Sequence, residues 1–366
     1  MFSSILVFLI VLSVLVLVHE AGHFFAARRA GVLVEEFGFG LPPKIISKKI
    51  GETEYSLNLL PFGGFVRLHG ENVEEGITLP KRAFLKKSKK ARATIVLAGV
   101  VMNLVLAVAA FAIVYSVSGI PKETEDVKIV EVATGSPAEI RGFRIGDTIE
   151  KVGKVEVTSV SGFIEEVDKA NGARVAIEIT RDQETKKITI TPRENPPEGE
   201  GPLGVAISAI EVYFPPVWQR PFVGIYYGFK DAVFWGGQII FGFVDIFKGL
   251  MGGSMPKGVA GPVGIFAITS QVATIGTLAV INFIGILSVN LAILNAIPFP
   301  ALDGGRLLFI GLEGVMGKRI LPKVESAIHT VGMILLLVAL LAITIHDVRR
   351  IFSAGGVSNF ISSFGK

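Results

Sequence analysis

The 366-residue sequence contains no cysteine. This excludes a disulfide framework, a thiolate-bound zinc and an iron–sulfur cluster, and by itself it says nothing about compartment. Charge is also scarce. Asp, Glu, Lys and Arg make up 19% of the chain, against about 25% in ordinary soluble proteins. The net charge of +4 is modest, and no Lys/Arg-rich tail with interleaved aromatics points to nucleic acid. Apolar and aromatic residues account for 50% of the chain, glycine adds 42 residues, and the mean hydropathy is +0.58. Such a composition excludes a disordered, collagenous or coiled-coil chain and describes an integral membrane protein.

Residues 2–27 form one apolar run, interrupted only by small Ser residues and the cluster His19-Glu20-Ala21-Gly22-His23. No Lys or Arg precedes the run, and Arg28 and Arg29 follow it, so it reads as a retained span rather than a cleaved signal. About 20 apolar residues cross a bilayer. Further spans are expected at 93–117, 278–297 and 324–345. Residues 222–247 are apolar too, but aromatic, Gly-rich and marked by Lys230 and Asp231, and they read as an interfacial or re-entrant helical stretch. The loop 28–92 carries 13 Lys/Arg and 7 Asp/Glu, whereas 119–277 carries 16 and 20. The positive-inside rule then places the first loop in the cytoplasm and 119–277 outside it. Arg349 and Arg350, after the last span, argue mildly the other way.

Residues 127–192 read as a soluble insertion. Apolar and polar residues alternate over 127–132, 174–179 and 187–191, the mark of half-buried strands. Ser136-Pro137-Ala138 starts a helix, 161–168 is a second short helix, and a glycine turn at 142–147 feeds a strand at 148–152. Pro192–Pro202 reads as a linker. Gly135-Ser136-Pro137-Ala138 followed by Gly142-Phe143-Arg144-Ile145-Gly146-Asp147-Thr148-Ile149 resembles a bacterial PDZ domain. Such domains take peptides or unfolded segments by strand addition. The alternative is a small mixed domain that only spaces two membrane halves. The expected divisions are 1–118 (first membrane half), 119–207 (PDZ domain), 208–277 (linker with an interfacial helical segment) and 278–366 (second membrane half).

The chemistry starts with His19-Glu20-x-x-His23. Positions i and i+4 share a helix face, so both imidazoles reach one metal and the Glu between them reaches a water beside it. His19 stands nine residues before Arg28, about 13 Å below the cytoplasmic interface at 1.5 Å per residue. Ionisable residues at that depth are rare and usually functional. A catalytic zinc needs three protein ligands and an open position. Asp303 is the best third ligand. It follows a helix that Pro298 and Pro300 must break, and irregular backbone at membrane depth is tolerated only around a protein-lined or wet cavity. His69, His329 and His346 read as interfacial or surface residues.

The HEAGH stretch, the PDZ-like insertion and Asn295-Ala296-Ile297-Pro298-Phe299-Pro300-Ala301-Leu302-Asp303-Gly304-Gly305 together resemble the site-2 protease family of intramembrane zinc metalloproteases, and most closely its bacterial regulator-of-sigma-E type. The resemblance implies that His19, His23 and Asp303 bind Zn2+ and that Glu20 is the general base. It further implies that Asn290 and Asn295 contact the substrate backbone. Phe37-Gly38-Phe39-Gly40 and the stretch around Gly63, Gly64 and Phe65 are similar to the family's membrane-re-entrant β-hairpin, while Gly99-x-x-x-Asn103 and Gly261-Pro262-Val263-Gly264 also match. Val100 follows Gly99 where many members have Pro, and one PDZ domain is visible where the Gram-negative prototype has two.

The implied fold is a polytopic α-helical membrane protein with about four transmembrane helices, a cytoplasmic-side re-entrant β-hairpin and an inserted extracytoplasmic α+β PDZ domain. The implied activity is regulated intramembrane proteolysis, with the bilayer and membrane proteins such as anti-sigma factors or signal-peptide remnants as partners. A buried helical substrate must be unwound, and an edge strand would satisfy its freed backbone groups. Residues 55–59 and 65–68, flanking Pro61-Phe62-Gly63-Gly64, read as a hairpin suited to that task. The competing readings are a non-enzymatic PDZ scaffold with a decayed site and a metal transporter. The intact His/Glu/His/Asp set argues against the first, and the lack of an internal repeat argues against the second.

Overall fold

A computed structural model describes residues 2–71, 77–170, 172–197, 199–252, 260–318, 321–353 and 356. The chain divides into two compact units, Met1–Val117 with Trp218–Lys366 and Ser118–Val217. In chain order the elements are α1 (Phe2–Arg29), β1 (Val34–Ile50), β2 (Thr53–Leu68), α2 (Lys89–Ser118), β3 (Ile120–Val132), α3 (Pro137–Ile140), β4 (Thr148–Val152), β5 (Val155–Glu156), α4 (Val160–Ala170), β6 (Val175–Arg181), β7 (Glu184–Ile190), β8 (Val205–Tyr213), α5 (Arg220–Met251), α6 (Pro262–Ile275), α7 (Thr277–Ala296), α8 (Asp303–Met316) and α9 (Pro322–Ser353).

In the first unit, α1, α2, α7 and α9 are long and apolar enough to cross a membrane. They cover the four stretches expected to span it. A helix suits that solvent because its backbone polar groups pair within the segment. α5 is one continuous helix of 32 residues, so 222–247 is not re-entrant. Gly224 and Gly228 bring α5 against α2, where a Cβ on either would lie 2.6 or 2.7 Å from the carbonyl oxygens of Ala112 and Val108. Asp231 accepts a hydrogen bond from Tyr115 at 2.7 Å. α6 packs on α1 through an edge-to-face contact of Phe8 and Phe266 at 5.4 Å. The buried Asp347 carboxylate of α9 accepts the N–H groups of Gly261 and Gly264, both at 2.8 Å. A carboxylate on the free N–H groups of a helix start is the favourable arrangement. Much of 208–277 is therefore packed structure rather than linker.

β1 and β2 fold into a four-segment sheet. Residues 36–39 pair with 54–57 on one side and with 64–67 on the other, while 44–50 pair with 53–58. This corrects the sequence expectation. Residues 55–59 and 65–68 do not form a hairpin with each other, because 36–39 lies between them. Among the described residues no strand pairs with the other side of Gly64–Leu68, and Leu68 and Val34 are buried beside Phe24 of α1 and Ile95 of α2. His69 is not a surface residue. It is buried, its Nδ1 lies 2.7 Å from Glu35 Oε1, and its Nε2 accepts the N–H of Leu79 at 3.1 Å.

Arg92, counted above among the basic loop residues, is likewise buried. It is ion-paired with Glu313 of α8, whose carbonyl oxygen accepts from Lys89 Nζ at 2.7 Å. Breaking a buried pair by removing one partner costs about 3–5 kcal/mol, whereas replacing both by apolar residues is often neutral. Arg92→Leu is therefore expected to lower the unfolding midpoint in detergent sharply, and Arg92→Leu/Glu313→Leu to recover most of the loss. Equal midpoints for the single variant and the parent would show that the pair does not hold α8 to α2.

The second unit is an antiparallel sheet in the order β7-β6-β4-β3-β8, with β5 pairing to β4. Val127, Ile149, Phe163, Ile177 and Ile190 lie in its core. Ser136 caps α3 by accepting the N–H of Glu139 at 3.1 Å. Asp147 accepts the N–H of Arg144 at 2.8 Å, and its carboxylate takes a forked pair from Arg181 at 2.6 and 2.7 Å. β8 runs on to Tyr213 because it pairs with β3 along its length. The unit thus ends at Val217, not at 207.

Candidate metal centre

The site is built from three elements of the first unit. α1 carries His19 and His23 one turn apart on one face, with Glu20 next to His19. α7 ends at Ala296, and Pro298 and Pro300 supply no N–H to continue it. The chain turns tightly instead: Phe299 N–H donates to Ile297 O at 2.7 Å and Leu302 N–H to Phe299 O at 3.1 Å. Gly304 and Gly305 lie directly on this turn, where Cβ atoms would stand 2.1 and 2.4 Å from the carbonyl oxygens of Ile297 and Phe299. Asp303, the first residue of α8, is thereby carried to the imidazoles.

His19 Nε2 and His23 Nε2 lie 3.0 and 3.2 Å from Asp303 Oδ2, and 3.2 Å from each other. Tetrahedral ligands at 2.0–2.1 Å from zinc stand about 3.3 Å apart, close to this triangle. The other ring nitrogens decide the chemistry. His23 Nδ1 donates to the carbonyl of Ile95 at 2.9 Å. His19 Nδ1 faces the amide of Asn103 at 3.1 Å, and Asn103 Oδ1 is otherwise a buried oxygen without a partner among the described residues. Turned end for end, that amide gives Nδ1–H its acceptor. Each neutral imidazole then presents a bare Nε2 to the other and to the carboxylate. Three acceptors facing one another repel unless a cation lies among them, so the donor set fits a divalent metal.

α2 supplies these supports from one stripe: the Ile95 carbonyl, Gly99 and the Asn103 side chain stand four residues apart. Gly99 is the point of closest approach. A Cβ there would lie 2.5 Å from His23 Nε2 and 2.7 Å from His19 Cε1. Ser288 of α7 holds Asn103 in place by donating to its backbone carbonyl at 2.8 Å.

A cavity of about 1020 Å³ opens beside this triangle, bordered by Glu20, Phe65, Arg67, Glu71, Asn295 and Arg306 among others. Glu20 is half-buried at its wall and is not one of the three convergent residues. Gly64 lies next to it, where a Cβ would be 3.6 Å from Glu20 Cγ. Gly63, at the preceding turn with φ +85°, faces Leu41 instead. Asn295 lines the cavity but Asn290 does not, since five residues turn a helix by about 140° beyond one full turn. His329, expected to be interfacial or at the surface, also lines it and accepts the N–H of Ala301 at 2.9 Å. His346 is half-buried on the same helix. The roles of Ile95, Asn103 and His329 escape a sequence reading. The four-residue spacing of Gly99 and Asn103 is the one visible trace of them.

The profile of peptidase family M50 matches residues 7–339. The zinc metalloprotease RasP of Oceanobacillus iheyensis is 30% identical over 429 aligned residues, which span 96% of this chain and all of the relative. RasP of Shouchella clausii is 30% identical over 432 residues with the same coverage. A protein of Clostridium perfringens is 35% identical over 340 residues, spanning 93% of this chain and 97% of its own length.

Proposed function

The chain belongs to peptidase family M50, the site-2 proteases, and is a zinc metalloprotease, and on that premise we propose that it hydrolyses peptide bonds inside the transmembrane segments of other membrane proteins. The observation that carries this reading is the convergence of His19, His23 and Asp303 beside Glu20, with both histidines on a helix apolar enough to span a bilayer. His19, His23 and Asp303 would hold the zinc. The chemistry a zinc ion would supply there is polarisation of the scissile carbonyl and a lowered water pKa, so that hydroxide is available near neutral pH. Glu20 accepts the proton of the water that adds to the scissile carbonyl carbon, and returns it to the amine nitrogen as the C–N bond breaks. Asn103 and the Ile95 carbonyl keep both imidazoles in the metal-binding tautomer.

The substrate enters as a strand. Gly64–Arg67 pairs with 36–39 on one side, and Phe65, Val66, Arg67 and Leu68 border the cavity on the other. Glu71 already takes the Leu68 N–H at 3.4 Å, so the usable edge runs from Gly64 to Arg67. A transmembrane helix must unwind before it can pair there, and the edge replaces the backbone hydrogen bonds it loses. Asn295 at the cavity wall binds the same unwound backbone. The cavity opens to the cytoplasm, on the side of Arg28, Arg29 and the basic run 86–92, and Ser118–Val217 serves outside as a PDZ domain that receives a peptide or an unfolded segment.

Substrates with weak helices should therefore be cut faster. Each Leu→Gly change lowers helix stability by about 1 kcal/mol. Three such changes in the cytoplasmic third of a poly-Leu anchor are expected to raise the initial rate by at least about tenfold in proteoliposomes. Equal rates for the two anchors would sink the unwinding step.

A further inference from the structure

The turn that delivers Asp303 is held from outside by α9. Ala301, two residues before the carboxylate, has a left-handed backbone with φ +81°, a conformation that costs an L side chain energy and persists only where surroundings enforce it. His329 enforces it. Its Nδ1 accepts the Ala301 N–H at 2.9 Å. Its ring lies against Phe309 of α8 with centroids 5.5 Å apart, which fixes the ring plane. One turn further along α9, Gly332 presses on the same turn: a Cβ there would stand 2.4 Å from Pro300 Cβ. The accepting Nδ1 places the ring proton on Nε2, a buried atom with no partner among the described residues, in a ring that borders the metal cavity.

We propose that His329 is a positioning residue for the third zinc ligand, holding Ala301 so that Asp303 meets His19 and His23. It is not one of the three convergent ligands and acts on the site through the Ala301 backbone. It is the remote counterpart of Asn103 and the Ile95 carbonyl, which orient the two imidazoles directly. The inference rests on the metal-centre reading above.

The test uses the full chain in detergent, loaded with Zn2+ or Co2+. The readouts are metal retention against a chelator, the visible Co2+ ligand-field spectrum and the unfolding midpoint. His329→Leu is expected to weaken metal retention by about 10- to 100-fold, the usual range for outer-shell partners, and to shift the Co2+ bands. His329→Asn places an oxygen where Nδ1 stood and is expected to restore both. His329→Gln places its acceptor one bond further out and is expected not to. Ala301→Gly, which accepts the left-handed backbone without penalty, should reduce the loss caused by His329→Leu. A parent that holds no zinc overturns the metal-centre reading and this inference with it. A metal-loaded parent with an unaltered His329→Leu spectrum and retention overturns this inference alone. So does equal behaviour of the Asn and Gln variants, which would mark a purely structural role.

Discussion

Glu20→Gln is expected to abolish cleavage of a transmembrane substrate while zinc stays at one ion per chain. The substitution is nearly isosteric, and Glu20 is outside the triangle formed by His19, His23 and Asp303, so metal content should not change. What is lost is the group that accepts a proton from water. General acid–base catalysis contributes roughly 10²- to 10⁴-fold, which puts the variant near the detection limit of a gel assay. Metal analysis of the same preparation separates a chemical defect from an empty site. Cleavage at the parental rate would remove Glu20 from the mechanism. Loss of zinc along with activity would instead make Glu20 a ligand.

Gly99→Ala is expected to be almost as damaging, for a different reason. Its Cβ would fall 2.5 Å from His23 Nε2, and His23 cannot swing aside without giving up its hydrogen bond to Ile95 O. Nor can α2 withdraw without pulling Asn103 from His19. One methyl group therefore misplaces at least one ligand. Zinc content should drop well below one per chain, and the rate should fall by about 100-fold or more. Overpacking of this kind costs about 1–3 kcal/mol of stability, so the chain should still fold. Gly237→Ala on α5 is the control, because among the described residues a Cβ there meets no atom within 4 Å beyond its own helix backbone. In a helix that change is stabilising by about 1 kcal/mol. A Gly99→Ala protein with full zinc and parental rate would show that α2 does not bear on the imidazoles as described.

Sequence reasoning reached some of this structure and missed the rest on physical grounds. The four apolar helices follow from hydropathy, a local property. His19 and His23 are legible because they share one helix face, with Glu20 next to His19, and Asp303 because the prolines before it must break α7. The sheet was not legible. Insertion of 36–39 between 54–57 and 64–67 depends on non-local pairing, and short spacing alone favoured a simple hairpin. The settings of His69 and His329 are not legible, because sequence shows polarity but not partners. His69 is buried against Glu35 and the Leu79 N–H. His329 faces inward only because α9 crosses the turn after α7. Arg92 counted as a topogenic charge, yet Glu313, more than two hundred residues away, buries it.

The stripe on α2 also limits how this protein can diverge. Ile95, Gly99 and Asn103 act through their angular position around one axis. Inserting a single residue between Lys89 and Ile95 would rotate all three by about 100° relative to a fixed helix start. The protein would lose the carbonyl, the gap and the amide together, although none of them had been mutated. Tolerance to length change should therefore be sharply uneven: loops ought to absorb insertions freely, whereas the first two turns of α2 behave as a gear that cannot skip a tooth.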